Sequence, residues 1–368
     1  MTRARYRVAP GVAEAVARFV LPERLGFGPV VAPVMYRADW AEGEWGPGTL
    51  RPYGMIEIAP GARALHYSEL VFEGLKAYRV ERDWPNLFRP LDNCRRLGRS
   101  AERLSMPVVP EPLFLEAIDA VAGACNGIIP RRSGQSLYLR PFLFGTESGY
   151  MLRNSTTFSF MVIANPVEAY ATGPIKVAIE RTDVRAAPGG VGYAKAGANY
   201  AASLRASSAA VARGYTIALW LDAHEHRYIQ ELSGMNLFAV IDGELHTPAL
   251  DGAILPGITR DSLITLARHR GYVVRERLMA LDEVIAQMRD GACSEVFACG
   301  TAAIVAPVAA LAEPDGTEHP APQVDRVAAE LREALLAIQE RRAPDPFGWT
   351  RDVAAAPAAA SGLPATDG

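Results

Sequence analysis

Cysteine is scarce and scattered: four residues, at positions 94, 125, 293 and 299, in a chain of 368. No Cys-x-x-Cys pair and no Cys/His spacing of a metal centre occurs, so reduced thiols in a cytoplasmic protein are the plain reading. Strong charge of either sign is also missing. A formal net charge of -3 gives no general attraction to nucleic acid or to an anionic membrane surface. No segment offers the roughly 18 consecutive apolar residues that a membrane-spanning helix needs. The basic start, Arg3 and Arg5, leads into no apolar run, so no secretory signal is expected.

What is present is ordinary for a folded protein: 49% apolar and 21% charged residues. The length exceeds what one compact core usually holds, and two domains are expected. Both read as α/β, a smaller one over 1–165 and a larger one over 176–350. The prolines and glycine between Asn165 and Pro174 mark 166–175 as the linker. Residues 351–368, nearly all Ala, Pro, Gly and Ser beyond Val353, read as a tail outside the fold.

Helical spacing is visible over Asn93 to Leu104, Glu111 to Cys125, Thr259 to His269, Leu281 to Met288 and Val324 to Arg341. Another helix is expected over Ala201 to Arg213. Ser136 to Phe144 reads as a strand bent or edge-placed by Pro141, and Thr156 to Ala164 as a better one. Thr216 to Leu221 and Tyr228 to Glu231 form a strand pair, and Asp242-Gly243 turns a hairpin from Asn236 to Thr247.

The most informative stretch is Pro188-Gly-Gly-Val-Gly-Tyr-Ala-Lys-Ala-Gly-Ala-Asn-Tyr200. It is no P-loop, because Ala194 and Ala196 flank Lys195 where Gly-Lys-Ser/Thr is required. The dinucleotide fingerprint fails as well, since Lys195 stands where its third glycine belongs. Two readings remain: a glycine-rich surface loop with a solvated lysine, or a lysine whose small neighbours admit a flat ligand. A desolvated lysine amine loses part of its preference for charge and can attack an aldehyde.

Glu231 ends an apolar strand, where a carboxylate is costly without a cationic partner. A protonated pyridine nitrogen would be such a partner, although a solvent-facing hairpin end is the plainer reading of that residue alone. Leu255 to Ser262 enters a helix, with Gly257 giving backbone access and Ile258 and Thr259 offering N–H groups to an anion. Cys299 to Ala303 is read the same way after a strand. His224, Glu225 and His226 sit in a turn with no third ligand cluster, so no metal site is expected.

Taken together with Leu65-His-Tyr-Ser-Glu-Leu-Val-Phe-Glu-Gly-Leu-Lys-Ala-Tyr78, Phe88-Arg-Pro90 and Leu137-Tyr-Leu-Arg-Pro141, these stretches resemble branched-chain amino-acid aminotransferases. That family belongs to fold type IV of the pyridoxal-phosphate enzymes, whose D-amino-acid aminotransferase-like architecture has two α/β domains with the cofactor at their junction. The resemblance runs from about Trp45 to Trp349. It implies pyridoxal 5'-phosphate as cofactor and Lys195 as the Schiff-base lysine and general base. It further implies that Tyr200 bonds the cofactor's phenolic oxygen, that Glu231 meets the ring nitrogen, and that Arg185 lies nearby. Arg96, Ile258, Thr259 and Thr301 would hold the phosphate. Tyr67, Phe72 and Tyr138 would line the substrate pocket, with Arg140 meeting the distal carboxylate of glutamate. Thr301 and Ala302 would take the α-carboxylate.

The implied activity is transamination of leucine, isoleucine or valine with 2-oxoglutarate by a cytoplasmic homodimer. D-amino-acid aminotransferases and aminodeoxychorismate lyases share the lysine and glutamate and are the alternatives, with a non-catalytic cofactor binder further off. Ala196, Ala198 and Tyr193 depart from many relatives around the lysine. Ala303 and Ala306 replace the cysteine pair of mammalian relatives, so no thiol switch is expected there.

Overall fold

The computed structural model describes residues 6–168, 173–324 and 326–355. The chain divides into two compact units, residues 1–169 with 338–368, and residues 170–337.

The first unit is built on a ten-stranded sheet. Its long central pair, Ser136–Gly145 and Phe158–Val167, runs antiparallel in register over the whole length, and Val34–Ala41 adds beyond. Alternation along Ser136–Gly145 sorts its side chains. Leu137, Leu139 and Leu143 have no exposure and share the face that the helix Glu111–Ala124 covers through the fully buried Phe114, Ile118 and Val121. Each such side chain contributes about 1.5–3 kcal/mol by leaving water. Tyr138, Arg140 and Phe142 point to the opposite face.

Pro141 neither bends this strand out of the sheet nor places it at an edge. Its missing N–H falls where the neighbouring chain breaks between Leu70–Phe72 and Leu75–Tyr78, and there the Glu73 N–H donates to the Pro141 carbonyl at 2.7 Å. The expected linker is also shorter than its prolines suggest. Asn165, Pro166 and Val167 finish a strand, with Pro166 beyond the ladder to Val34–Ala41, and Ile175 opens the next. Residues 169–172 lie outside the described residues.

The C-terminal segment corrects both the second domain's end and the tail. Beyond 337 the chain belongs to the first unit, where Tyr78 donates to the Gln339 side chain at 2.9 Å and Asn86 to its carbonyl at 2.8 Å. Thr350–Asp352 then pairs antiparallel with Asn86–Phe88. Val353 is buried, and its carbonyl accepts from the Trp84 indole at 2.7 Å. Most of the tail, from 356 on, lies outside the described residues.

The second unit carries a nine-stranded sheet running from Ile229–Leu232 through Ile217–Leu221, Ile175–Ile179, Ile304–Ala312, Cys293–Gly300 and Asn236–Ile241 to Glu244–Pro248 and Val274–Arg277. Ser233 and Gly234 make a tight turn, and Leu232 bridges to Met235. The strand at one edge therefore meets Asn236–Ile241, and the sheet curls around an apolar interior of Val177, Leu219, Leu232, Leu237 and Leu311. Gly234 has a φ of +105°, which a side chain rarely adopts. The Asp242-Gly243 hairpin forms as expected, both residues at positive φ. Among the described residues no helix is long and apolar enough to cross a membrane.

Candidate active site

Lys195 stands just before the helix Gly197–Ala212, which begins four residues earlier than its alanine pattern suggests. Small residues make the approach to the helix compact. Asn199, in the first turn, reaches back with its side-chain amide to the carbonyls of Val191 at 2.8 Å and Ala194 at 2.9 Å. That clamp fixes the loop before the lysine. The Lys195 amine donates to the Tyr200 hydroxyl at 2.9 Å.

Glu231 is 3% exposed in the strand Ile229–Leu232. The Arg185 guanidinium pairs with its Oε1 at 2.5 Å, the Leu255 N–H donates to the same oxygen at 3.3 Å, and the Asn236 amide donates to Oε2 at 3.2 Å. Burial pushes the Glu231 carboxyl up to about 7, against the downward pull of Arg185, the Leu255 N–H and Lys195. An ionised Glu231 therefore gains from one more positive group. Arg185 in turn donates to the carbonyls of Ala253 and Gly192. Arg185, Ala194, Tyr200, Ser203, Glu231 and Leu255 line one small cavity. An amine, a phenol and a buried carboxylate already held by one cation fit a flat aldehyde bearing a protonated ring nitrogen.

The two anion-site expectations part here. Ile258 and Thr259 open the helix Ile258–His269 behind Gly257, as expected. Thr301 and Ala302 do not enter a helix: they form the turn between the antiparallel strands Cys293–Gly300 and Ile304–Ala312. The chain reverses at once because Gly300 and Ile304 pair directly, with Ile304 at a φ of +64°. That turn still lies by the Glu231 corner, since Asn236 pairs with Cys299 and Gly300 packs on Gly234 and Met235.

In the first unit, Arg140 and Tyr138 share a strand face with the Phe72 ring alongside. The Arg140 guanidinium lies 4.7 Å from the Phe72 ring centre and 5.4 Å from that of Tyr138. Its buried Nε has no hydrogen-bond partner among the described residues. Gly74 makes room for Tyr138, because a Cβ there would stand 1.9 Å from the phenol oxygen. Tyr67 is held differently, its hydroxyl donating to the Tyr150 carbonyl at 2.6 Å. Arg96 is buried and forked onto Glu73 at 2.7 and 2.9 Å.

Two residues that no sequence pattern singles out complete the picture. Asn236 could have been suspected as a lone amide opening an apolar strand. Phe27, edge-on to Tyr138 at 5.2 Å, comes from an irregular N-terminal loop with no pattern to betray it.

The class IV amino-transferase model matches residues 70–311. Branched-chain-amino-acid transaminase 1 of Bacillus subtilis is 41% identical over 338 residues, 90% of this chain and 95% of its own. The branched-chain-amino-acid aminotransferase of Mycobacterium tuberculosis is 42% identical over 88% of this chain and 91% of its own. Among solved structures, the branched-chain amino acid aminotransferase of Thermobaculum terrenum in its PLP form superposes with a TM-score of 0.66 at 25% identity, covering 86% of this chain and 98% of that one. By sequence and by fold, the chain belongs to the branched-chain-amino-acid aminotransferases of class IV, transaminases that work with pyridoxal 5'-phosphate.

Proposed function

We propose that this enzyme transaminates L-leucine, L-isoleucine and L-valine with 2-oxoglutarate, releasing the 2-oxo acids and L-glutamate in a ping-pong cycle. The observation that carries the substrate choice is Arg140 against the rings of Phe72 and Tyr138. One aromatic surface takes a branched apolar side chain, and the guanidinium at its side takes the distal carboxylate of the second substrate.

Bound pyridoxal phosphate supplies an aldehyde for the substrate amine and a ring that accepts electrons from the α-carbon. The protein's part falls to named groups. Lys195 takes up the α-proton at Nζ and returns it, with the Tyr200 hydroxyl orienting the amine. Glu231, held by Arg185, keeps the ring nitrogen positive. Ile258, Thr259, Thr301 and Arg96 are assigned to the phosphate, and Thr301 and Ala302 to the substrate α-carboxylate. Tyr67 is assigned to the substrate pocket on the family pattern. The same reading takes the enzyme as a cytoplasmic homodimer acting on small amino and 2-oxo acids.

The test is single-turnover absorbance of the holoenzyme with L-leucine, D-leucine and no amino acid, followed by glutamate formation with 2-oxoglutarate. Bleaching of the cofactor band by L-leucine alone, with glutamate formed, is expected. A holoenzyme that ignores L-leucine, L-valine and L-isoleucine would sink the substrate assignment.

A further inference from the structure

The turn Asp251 to Gly257 bonds Glu231 and both side chains that hold it, Arg185 and Asn236. Its Ala253 carbonyl accepts from Arg185, its Leu255 N–H donates to Glu231, and its Leu255 carbonyl accepts from Asn236 at 3.0 Å. Ala253 also abuts the lysine loop: a Cβ on Gly192 would lie 2.3 Å from the Ala253 oxygen. At its far end Gly257 caps the helix Ile258–His269, and a Cβ there would meet the Asn236 Oδ1 at 2.0 Å. A shift of this turn would thus disturb the ring-nitrogen carboxylate and the helix N-terminus together.

What sets the turn is Asp251. Its Oδ1 accepts from the N–H groups of Ala253 at 2.8 Å and Ile254 at 3.2 Å, so the carboxylate stands in for a backbone turn. Its Oδ2 is approached by the Gln230 amide at 3.3 Å, from the residue next to Glu231 in the strand. Asp251 is itself exposed.

We infer that Asp251 is a positioning residue for the cofactor, touching neither cofactor nor substrate, and that it aligns Glu231 and the Ile258 helix N-terminus through one turn. This rests on the assignment of Glu231 to the ring nitrogen. Asp251 lies outside the residues assigned above to cofactor or substrate.

The experiment compares wild type, Asp251→Ala, Asp251→Asn, Gln230→Ala and Glu231→Gln. For each, apoprotein is titrated with pyridoxal phosphate for the dissociation constant, and the absorbance of the holoenzyme is followed against pH. Asp251→Ala is expected to weaken cofactor binding by roughly tenfold to a hundredfold. It should move the midpoint of the cofactor band's pH titration in the same direction as Glu231→Gln. Asp251→Asn, which keeps an oxygen for the two N–H groups, should restore most of both. If Asp251→Ala fails to fold, Asp251→Asn and Gln230→Ala decide by the same readouts, each expected to show a smaller shift of the same sign. If Glu231→Gln moves the titration and the Asp251 and Gln230 variants do not, the inference is wrong and the Glu231 assignment stands. If Glu231→Gln is spectrally silent, both fall.

Discussion

The Lys195 amine and the Tyr200 hydroxyl, five residues apart, meet at 2.9 Å across the start of the helix Gly197–Ala212. The start of that helix therefore brings together the two groups to which we assign the proton transfer and its aiming. Tyr200→Phe keeps the ring and removes the oxygen. Its half-reaction rate with L-leucine should fall about tenfold, whereas Lys195→Ala should lose at least about a thousandfold. Stopped-flow absorbance would separate them, and equal losses in both variants would refute the assigned roles.

Glu231 makes the apoprotein pH-sensitive. Burial raises its carboxyl from 4.5 to about 7 in the folded chain. Between those values the unfolded chain has released a proton that the folded chain still holds, so stability falls as pH rises. The lost contribution reaches roughly 3 kcal/mol by neutral pH. Denaturant melts of apo Glu231→Gln from pH 4.5 to 7.5 should show a flatter profile than wild type. A profile parallel to that of wild type would count against this origin.

Arg140→Leu should discriminate between the two substrates. Losing a charge-assisted contact should raise KM for 2-oxoglutarate about 10- to 100-fold. KM for L-leucine should change little, because the aromatic wall remains. Parallel increases for both substrates would point to a merely structural role.

Gly74→Ala tests the fit of Tyr138. The new methyl would overlap the phenol oxygen and force the ring from its place. We expect a loss of about 1–3 kcal/mol in stability, read as a lower melting temperature, together with a raised KM for L-leucine. An unaltered KM would separate Tyr138 from the substrate pocket.

Much of this was legible because local chemistry and local geometry coincide. The glycines and alanines around Lys195, the helix behind Gly257 and the Asp242-Gly243 hairpin each declare themselves within a few residues. What stayed hidden depends on pairings that the local residue types leave open, some near in the chain and some far along it. Pro141 reads as bending its strand or placing it at an edge until the gap opposite it, filled by Glu73, is seen. Thr301 follows a strand and a glycine, a pattern that fits a helix start as well as a hairpin, and the pairing of Gly300 with Ile304 decides between them. Phe27 and Asn236 show their places through contacts with Tyr138 and Glu231 that the sequence alone does not display.

The discontinuity of the first unit bears on how the protein is made. Residues 170–337 emerge from the ribosome as an uninterrupted block, while Thr350–Asp352, which pairs beside Asn86–Phe88, emerges only after that block. That strand edge stays open, and able to pair wrongly, until the whole of the second unit has been made. The unit that starts first can therefore only finish last.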